Sequence, residues 1–134
     1  MCSSDLRGRL LNGVDSNTSA IFEYHNGAQA ILNTNLIVKS ETCATISGSK
    51  GRIEITGEFY RPTSMRVVYQ DGSVKEFKNE YRGHGLREQA IYFEKMLIGN
   101  KKESDLLPLS ESLSIMQTMD EIRNQIGLRY PFED

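Results

Sequence analysis

The sequence has few of the residues from which self-contained catalytic sites are built. It contains two cysteines, two histidines and no tryptophan among 134 residues. So few His and Cys residues do not give the ligand spacing of a zinc site, and no Walker-type loop or acid-base pair of carboxylates is present. Without a secretory signal, Cys2 and Cys43 are predicted to be free thiols rather than a disulfide. The chain is therefore predicted to hold no catalytic, cofactor-binding or metal-binding residue.

A strong charge of one sign and long apolar runs are also missing. The formal net charge is -2, with 25% charged and 38% hydrophobic residues, which lacks the basic excess typical of nucleic-acid-binding proteins. No segment approaches the roughly 18 uninterrupted apolar residues that suggest a membrane span, and the N-terminus lacks the pattern of a signal peptide. We therefore expect one modest cytoplasmic domain whose partners include neither nucleic acid nor a membrane.

Short alternating segments separated by turn residues predict a sheet in the first two thirds of the chain. Asn26-Gly27 and Asp71-Gly72 predict type I′ hairpin turns, since both central residues of that turn need positive φ. Gly48 to Gly51 predicts another tight turn, and the loop from Gly57 to Thr63 is expected to leave the sheet. Six strands are predicted, over residues 19–24, 28–35, 42–47, 52–56, 65–70 and 73–77.

Two amphipathic helices are predicted in the last third. Gly99 is expected to end the first helix in the left-handed conformation. Ser110 is expected to cap the second, which Gly127 ends. The apolar stripes are Leu86, Ala90, Phe93 and Leu97 in the first helix, and Leu113, Met116, Met119, Ile122 and Ile126 in the second. Packing both helices on one face of an open, predominantly antiparallel sheet of about six strands gives an α+β fold.

An ordered series of short segments covers nearly the whole chain from Arg7 onward. It includes Gly13-Val14-Asp15-Ser16, Gly48-Ser49-Lys50-Gly51, Gly83-His84-Gly85-Leu86-Arg87-Glu88-Gln89-Ala90, Leu109-Ser110-Glu111-Ser112-Leu113 and Gly127-Leu128 with Tyr130-Pro131. In this series the sequence resembles the C-terminal domain of the Gfo/Idh/MocA (glucose-fructose oxidoreductase / inositol dehydrogenase) family. The resemblance is to its branch of dihydrodiol dehydrogenases and NADP-dependent D-xylose dehydrogenases.

The resemblance implies an NAD(P)-dependent oxidoreductase that acts on a sugar or vicinal diol. Complete family members bind NADP or NAD through an N-terminal Rossmann domain and carry a lysine in a Glu-Lys-Pro segment, and neither has a match here. The turn Gly83-His84-Gly85 is no substitute, because Glu88 stands where the dinucleotide fingerprint has its third glycine. Residues 7–134 are therefore expected to be a substrate and dimerisation domain truncated at its N-terminus, without cofactor and inactive by itself.

The first six residues are expected to be a non-native tail. The run Cys2-Ser3-Ser4-Asp5-Leu6 is what one reading frame of a common sequencing-adapter oligonucleotide encodes. The alternative is a native but disordered N-terminus, which is common at chain ends.

Four residues are candidates for the wall of a substrate pocket. His84 lies between two glycines at the start of a predicted helix. Phe59, Tyr60 and Arg61 lie in the loop that leaves the sheet, where functional residues often gather and which, by resemblance, can approach the substrate. The alternative for each is structural: His84 and Arg61 on the surface, and Phe59 in the core. His25, on a predicted turn, is expected to be solvated.

One face of the predicted sheet carries more apolar surface than a short helical layer covers. The resemblance implies that this open face pairs with a second subunit in a homodimer, whereas the alternative is coverage by helices and loops. Two other functional readings remain open: an autonomous binding or dimerisation module, and a stand-alone hydrolase or isomerase with His84 as base. The open-face residues are Phe22, Tyr24, Ile31, Ile53, Ile55, Val67 and Tyr69.

Overall fold

The computed structural model describes residues 3–81 and 83–132. Over these residues it contains two antiparallel sheets, ordered β1-β2-β3 and β4-β5-β6-β7, and two helices. The α+β class is thereby confirmed, and the described residues form no parallel, Rossmann-type sheet. The elements are β1 (Ser3–Leu11), β2 (Val14–Glu23), β3 (Gln29–Asn35), β4 (Ala44–Gly48), β5 (Gly51–Ile55), β6 (Met65–Tyr69), β7 (Val74–Phe77), α1 (Leu86–Ile98) and α2 (Leu109–Ile126).

The prediction of a single sheet is wrong, because the strands divide between two compact units. The three-stranded unit comprises Met1–Lys39 and Glu103–Asp134, and its described residues include β1 to β3 and α2. The four-stranded unit comprises Ser40–Lys102 and includes β4 to β7 and α1. All pairings within each sheet join strands that are neighbours in sequence, as expected when connections are short.

The core of the three-stranded unit lies between its sheet and α2. Leu6, Ala20 and Phe22 are buried, and Ile122 and Ile126 of α2 pack against them. Phe22 is therefore a core residue, not part of an open face as predicted. Buried and exposed residues alternate along β2, because successive side chains of a strand point to opposite faces of the sheet. The buried side chains are those on the face that packs against α2.

Gly8 allows α2 to approach β1 closely. A Cβ atom at this position would lie 2.7 Å from Cγ2 and 2.9 Å from Cβ of Ile126. Only glycine leaves this space free without displacing the helix.

β1 is absent from the strands that the sequence predicts. It is joined to β2 by Asn12-Gly13, with φ of 52° and 80°, which is the two-residue I′ pattern. The same Asn-Gly signal was available here. Leu6 pairs with Ala20, so the described part of residues 1–6 belongs to the strand rather than to a disordered tail. Met1 and Cys2 lie outside the described residues, and the non-native origin of residues 1–6 stays a prediction.

The type I′ turns predicted at Asn26-Gly27 and Asp71-Gly72 are wrong in type. Gly27 N–H donates to the Tyr24 carbonyl at 2.9 Å and Tyr24 N–H donates to the Ala28 carbonyl at 3.0 Å, so three residues close the hairpin. Only the glycine has positive φ, as in a turn followed by a left-handed bulge residue. The Asn26 side chain accepts a hydrogen bond from Ala28 N–H at 3.0 Å, which favours this alternative. The loop at residues 70–72 repeats the pattern.

Gly99 and Gly127 directly follow the last residues of the two helices, as predicted. The left-handed conformation predicted for Gly99 is wrong, because its φ is -78°, whereas Gly127 is left-handed with φ 72°. Asn100, with φ 50°, takes the left-handed position instead. α2 begins at Leu109 after Pro108, so Ser110 is not its cap. The first N–H of α2 donates to the Glu103 carboxylate at 3.0 Å.

The four-stranded unit has one apolar and one polar sheet face. The polar face carries Arg52, Glu54 and Arg66, and the Glu54 carboxylate accepts hydrogen bonds from both arginines. Side chains on the opposite face are Ala44, Ile46, Ile53, Ile55, Met65, Val67, Tyr69 and Phe77, as the register places them, together with Lys75, whose Nζ lies over the Phe77 ring.

The prediction that both helices pack on one sheet face is confirmed only for α2. No Cα atom of α1 lies within 8 Å of a Cα atom of β4 to β7. Within the four-stranded unit the apolar sheet face is thus left open by α1. The predicted helical stripes are also largely exposed, namely Leu86, Phe93 and Leu97 of α1 and Leu113, Met116 and Met119 of α2.

Candidate functional site

The loop that follows β5 is held in place by backbone hydrogen bonds. Gly57 has φ 72°, a conformation that glycine adopts without strain. Phe59 N–H donates to the Thr42 carbonyl at 3.2 Å, and Arg61 N–H donates to the Glu58 carbonyl at 3.1 Å. The loop therefore leaves the sheet, as predicted, and turns at residues 58–61.

A second segment of the same unit lies against this loop. The Asn79 side-chain amide donates to the Pro62 carbonyl at 2.9 Å. Gly85, with φ 86°, lies so close to Pro62 that a Cβ atom there would be 3.1 Å from its Cγ. Because Gly85 immediately precedes α1, the predicted helix-entry role of the Gly83-His84-Gly85 turn is confirmed.

These two segments bring Arg61 and His84 together. Nη1 of Arg61 lies 3.4 Å from Nδ1 of His84. Nε of Arg61 lies 2.5 Å from Oε2 of Glu58. The three side chains form a continuous polar chain that we call the Glu58-Arg61-His84 cluster. Arg61 and Glu58 are each 42% exposed, so the cluster is open to solvent and accessible to a ligand.

Phe59 and Tyr60 stand beside the cluster in the same loop. Their ring centroids are 6.0 Å apart with an interplanar angle of 74°, the edge-to-face arrangement that aromatic pairs favour. Phe59 is 50% exposed and Tyr60 is 69% exposed, so the alternative that Phe59 is a core residue is wrong. The structure thus gathers all four predicted residues in one small region, while their role as a pocket wall stays a prediction.

The four-stranded unit also contains a cavity of about 590 Å³ that the sequence did not indicate. None of the four predicted residues lines it. The Glu88 carboxylate accepts a hydrogen bond from Nη2 of Arg87 at 2.8 Å, and this hydrogen bond lowers the pKa of Glu88. In the sequence, the cavity could have been inferred only from the three- and four-residue spacing of Glu88, Ile91, Tyr92 and Lys95, which places them on one side of α1. The lining residues are Lys78, Glu80, Tyr81, Arg87, Glu88, Ile91, Tyr92 and Lys95.

The described residues do not contain the fold elements of a dinucleotide fingerprint. They contain no parallel βαβ unit, and Glu88 occupies the third position of the only fingerprint-like turn. No group of three or more His, Cys, Asp or Glu side chains in the described part of the chain is placed to hold a metal ion. No described helix combines the length and apolar character needed to cross a membrane. His25 and Cys43 are exposed, while the cysteine prediction for Cys2 lies outside the described residues.

Comparison with known proteins shows that the chain is similar to part of several sugar and diol dehydrogenases. It matches no protein-family model. It is 31% identical over 127 residues to a trans-1,2-dihydrobenzene-1,2-diol dehydrogenase of Xenopus tropicalis, with 89% of the chain and 38% of the relative covered. It is 32% identical over 134 residues to the D-xylose 1-dehydrogenase (NADP(+)) of Hypocrea jecorina, covering 89% and 34%.

A bacterial relative is named for a third substrate, scyllo-inositol. The chain is 30% identical over 122 residues to the scyllo-inositol 2-dehydrogenase (NADP(+)) of Bacillus subtilis, covering 91% of the chain and 37% of the relative. These relatives are members of the Gfo/Idh/MocA oxidoreductase family, and the chain is similar to the C-terminal part of each of them. It corresponds to their C-terminal part and spans little more than a third of their length.

Proposed function

We propose that residues 7–134 form the C-terminal domain of a longer NAD(P)-dependent dehydrogenase that oxidises a sugar or a vicinal diol. The observation that carries this proposal is the match of 89% of the chain to enzymes named for a dihydrodiol and for D-xylose. Two such different substrates both present adjacent hydroxyl groups. A shared C-terminal domain is consistent with recognition of that arrangement.

The cofactor of the whole enzyme is NADP or NAD, held by an N-terminal Rossmann domain. The names of two relatives specify NADP(+). In this proposal the cofactor is bound outside this domain and supplies the hydride chemistry. The domain alone is therefore expected to be inactive, and the whole protein is expected to be cytoplasmic.

The Glu58-Arg61-His84 cluster and the neighbouring aromatic pair form part of the substrate pocket. Arg61 and His84 can donate hydrogen bonds to hydroxyl oxygens. Phe59 and Tyr60 expose ring surface against which the C–H groups of a sugar or a dihydrodiol ring can pack. Polar groups that fix orientation beside an apolar wall are typical of small-molecule sites. Positioning of the substrate, rather than proton transfer, is the role of this domain.

The apolar face of β4 to β7 pairs with a second copy of the chain in a homodimer. Ile46, at 59% exposed, and Tyr69, at 44% exposed, lie on this face, and a large contiguous apolar surface commonly marks an interface. A two-fold axis would place the same face on both subunits. Replacing Ile46 with glutamate is expected to convert the dimer to a monomer in analytical ultracentrifugation.

The matched control for this test is Val74→Glu. Val74 is 53% exposed but lies on the polar face, opposite Val68. It should leave the dimer intact, because the charge it adds faces away from the proposed interface. Dimers that persist in Ile46→Glu, or a monomeric parent chain, would contradict the interface.

The coding sequence upstream of Arg7 provides the first test of the enzyme proposal. We expect an open frame that continues into a glycine-rich βαβ unit and a Glu-Lys-Pro segment. The encoded protein should reduce NADP or NAD with D-xylose, an inositol or a trans-dihydrodiol, whereas the 134-residue chain should not. A genuine start codon at this position would instead support an autonomous module, and turnover by the short chain would contradict the division of roles.

A further inference from the structure

His84 has a hydrogen-bonding neighbour that can only donate. Nη1 of Arg61 lies 3.4 Å from Nδ1 of His84, and within the described residues the structure gives His84 no other hydrogen-bond partner. A guanidinium group carries five N–H donors and no acceptor. A hydrogen bond between these atoms therefore requires a lone pair on Nδ1. In a neutral imidazole the single ring proton must then lie on Nε2.

Glu58 determines which way the guanidinium points. Oε2 of Glu58 is 2.5 Å from Nε of Arg61, and the backbone hydrogen bond from Arg61 N–H to the Glu58 carbonyl closes the same turn. Because the guanidinium is planar and its donors are fixed in a fork, binding at Nε directs the outer nitrogens to a defined position. An exposed ion pair of this kind contributes little to stability. In this cluster the ion pair instead fixes the orientation of the Arg61 guanidinium.

We infer that Arg61 is a positioning residue that holds His84 in the Nε2–H tautomer, so that His84 meets a substrate as a hydrogen-bond donor through Nε2. This rests on the proposed function and names the atom that the site recognises. That atom is an oxygen with a free lone pair, either a hydroxyl oxygen of the sugar or diol or the carbonyl oxygen of its oxidised product.

The same geometry opposes a role for His84 as a general base. A base must offer a lone pair to the proton that it removes. The Nδ1 lone pair faces Arg61, and Nε2 carries the proton. The hydrolase or isomerase alternative, in which His84 acts as a base, would need the Arg61 contact to break.

The tautomer can be measured directly on the 134-residue chain without substrate. Uniformly ¹⁵N-labelled protein, at a pH where both imidazoles are neutral, gives ¹⁵N shifts and ring-proton couplings that distinguish protonated from unprotonated nitrogen. The exposed His25 on the β2–β3 loop serves as an internal reference for a solvated ring. We expect His84 to show an unprotonated Nδ1, with a smaller Nδ1–H fraction than His25.

Two substitutions of Arg61 differ in whether the new side chain can accept a hydrogen bond. Arg61→Lys preserves a group that only donates, so the Nε2–H tautomer should persist. Arg61→Gln introduces an amide oxygen that can accept a hydrogen bond, so the Nδ1–H fraction of His84 should rise while that of His25 stays constant. Arg61 is exposed, and the backbone amide spectrum reports whether each variant retains the fold.

The outcomes separate this inference from the enzyme proposal. An Nδ1–H tautomer in the parent chain would overturn the inference, as would equal Nδ1–H fractions in the Lys and Gln variants. Either result would leave the dehydrogenase proposal standing. The expected tautomer in a protein whose full-length form has no dehydrogenase activity would sink the proposed function and leave the geometry of His84 correct.

Discussion

Replacing Gly8 with alanine should destabilise the three-stranded unit by forcing β1 and α2 apart. The new Cβ would lie 2.7 Å from Cγ2 and 2.9 Å from Cβ of Ile126, far inside normal van der Waals contact. The Cβ atom of Ile126 is bonded directly to the α2 backbone, so a change of side-chain rotamer cannot move it away. Overpacking of this kind costs about 1 to 3 kcal/mol. Alanine regains about 0.5 to 1 kcal/mol over glycine inside a strand, which leaves a net loss of about 1 kcal/mol from the middle of both ranges and of about 2.5 kcal/mol at most.

Urea denaturation followed by circular dichroism measures this loss as a lower midpoint. Gly48→Ala is the matched control, since a Cβ there would have only an ordinary contact, 3.8 Å from the Gly51 carbonyl oxygen. A double-mutant cycle with Ile126→Ala should show coupling of about 1 kcal/mol, because removal of Cγ2 relieves part of the clash. If Gly8→Ala and Gly48→Ala unfold at the same urea concentration, or the cycle shows no coupling, the close approach of α2 is refuted.

Two further substitutions concern the four-stranded unit. Gly51→Ala should cost more than about 3 kcal/mol, because φ is 148° and a Cβ would lie 2.4 Å from the Val68 carbonyl oxygen; unfolding at the parent's urea midpoint would exclude this backbone geometry. The pKa of Glu54 is lowered by the hydrogen bond from Arg52 and then by that from Arg66, so the folded state favours the ionised carboxylate. Its stabilisation is present above the unfolded pKa, near 4.5, and is lost as the pH falls through the lower folded value. Glu54→Gln should therefore flatten the acid limb of the stability profile, and parallel limbs for parent and variant would contradict the network.

The sequence predicts local structure well wherever the local signal is unambiguous. The alternation in β5 and the end of α2 at Gly127 were predicted correctly, because a two-residue period and a glycine that stops a helix depend on neighbouring residues alone. The turn at Asn26-Gly27 shows the limit. Two turn types accept that dipeptide, and the hydrogen bond from Ala28 N–H to the Asn26 side chain decides between them.

Properties that depend on distant residues were not predictable. The packing of Leu6 of β1 against Phe22 and α2 is such a property, although the Asn12-Gly13 turn at the end of β1 had a local signal. The division into two sheets likewise depends on which strands pair. For the candidate site, the sequence indicated Arg61 and His84 separately, but their contact across 23 positions required the fold.

The three-stranded unit is assembled from the two ends of the described chain, with the four-stranded unit inserted between them. Contacts such as that of Gln125 Nε2 with Ser4 Oγ, at 2.7 Å across 121 positions, close a very long loop. During synthesis, at roughly 5 to 20 residues per second, the four-stranded unit can fold as soon as its continuous segment emerges. β1 to β3 must wait for α2, with Leu6 and Phe22 exposed to water and to other nascent chains. The inserted unit can therefore fold before the three-stranded unit is complete.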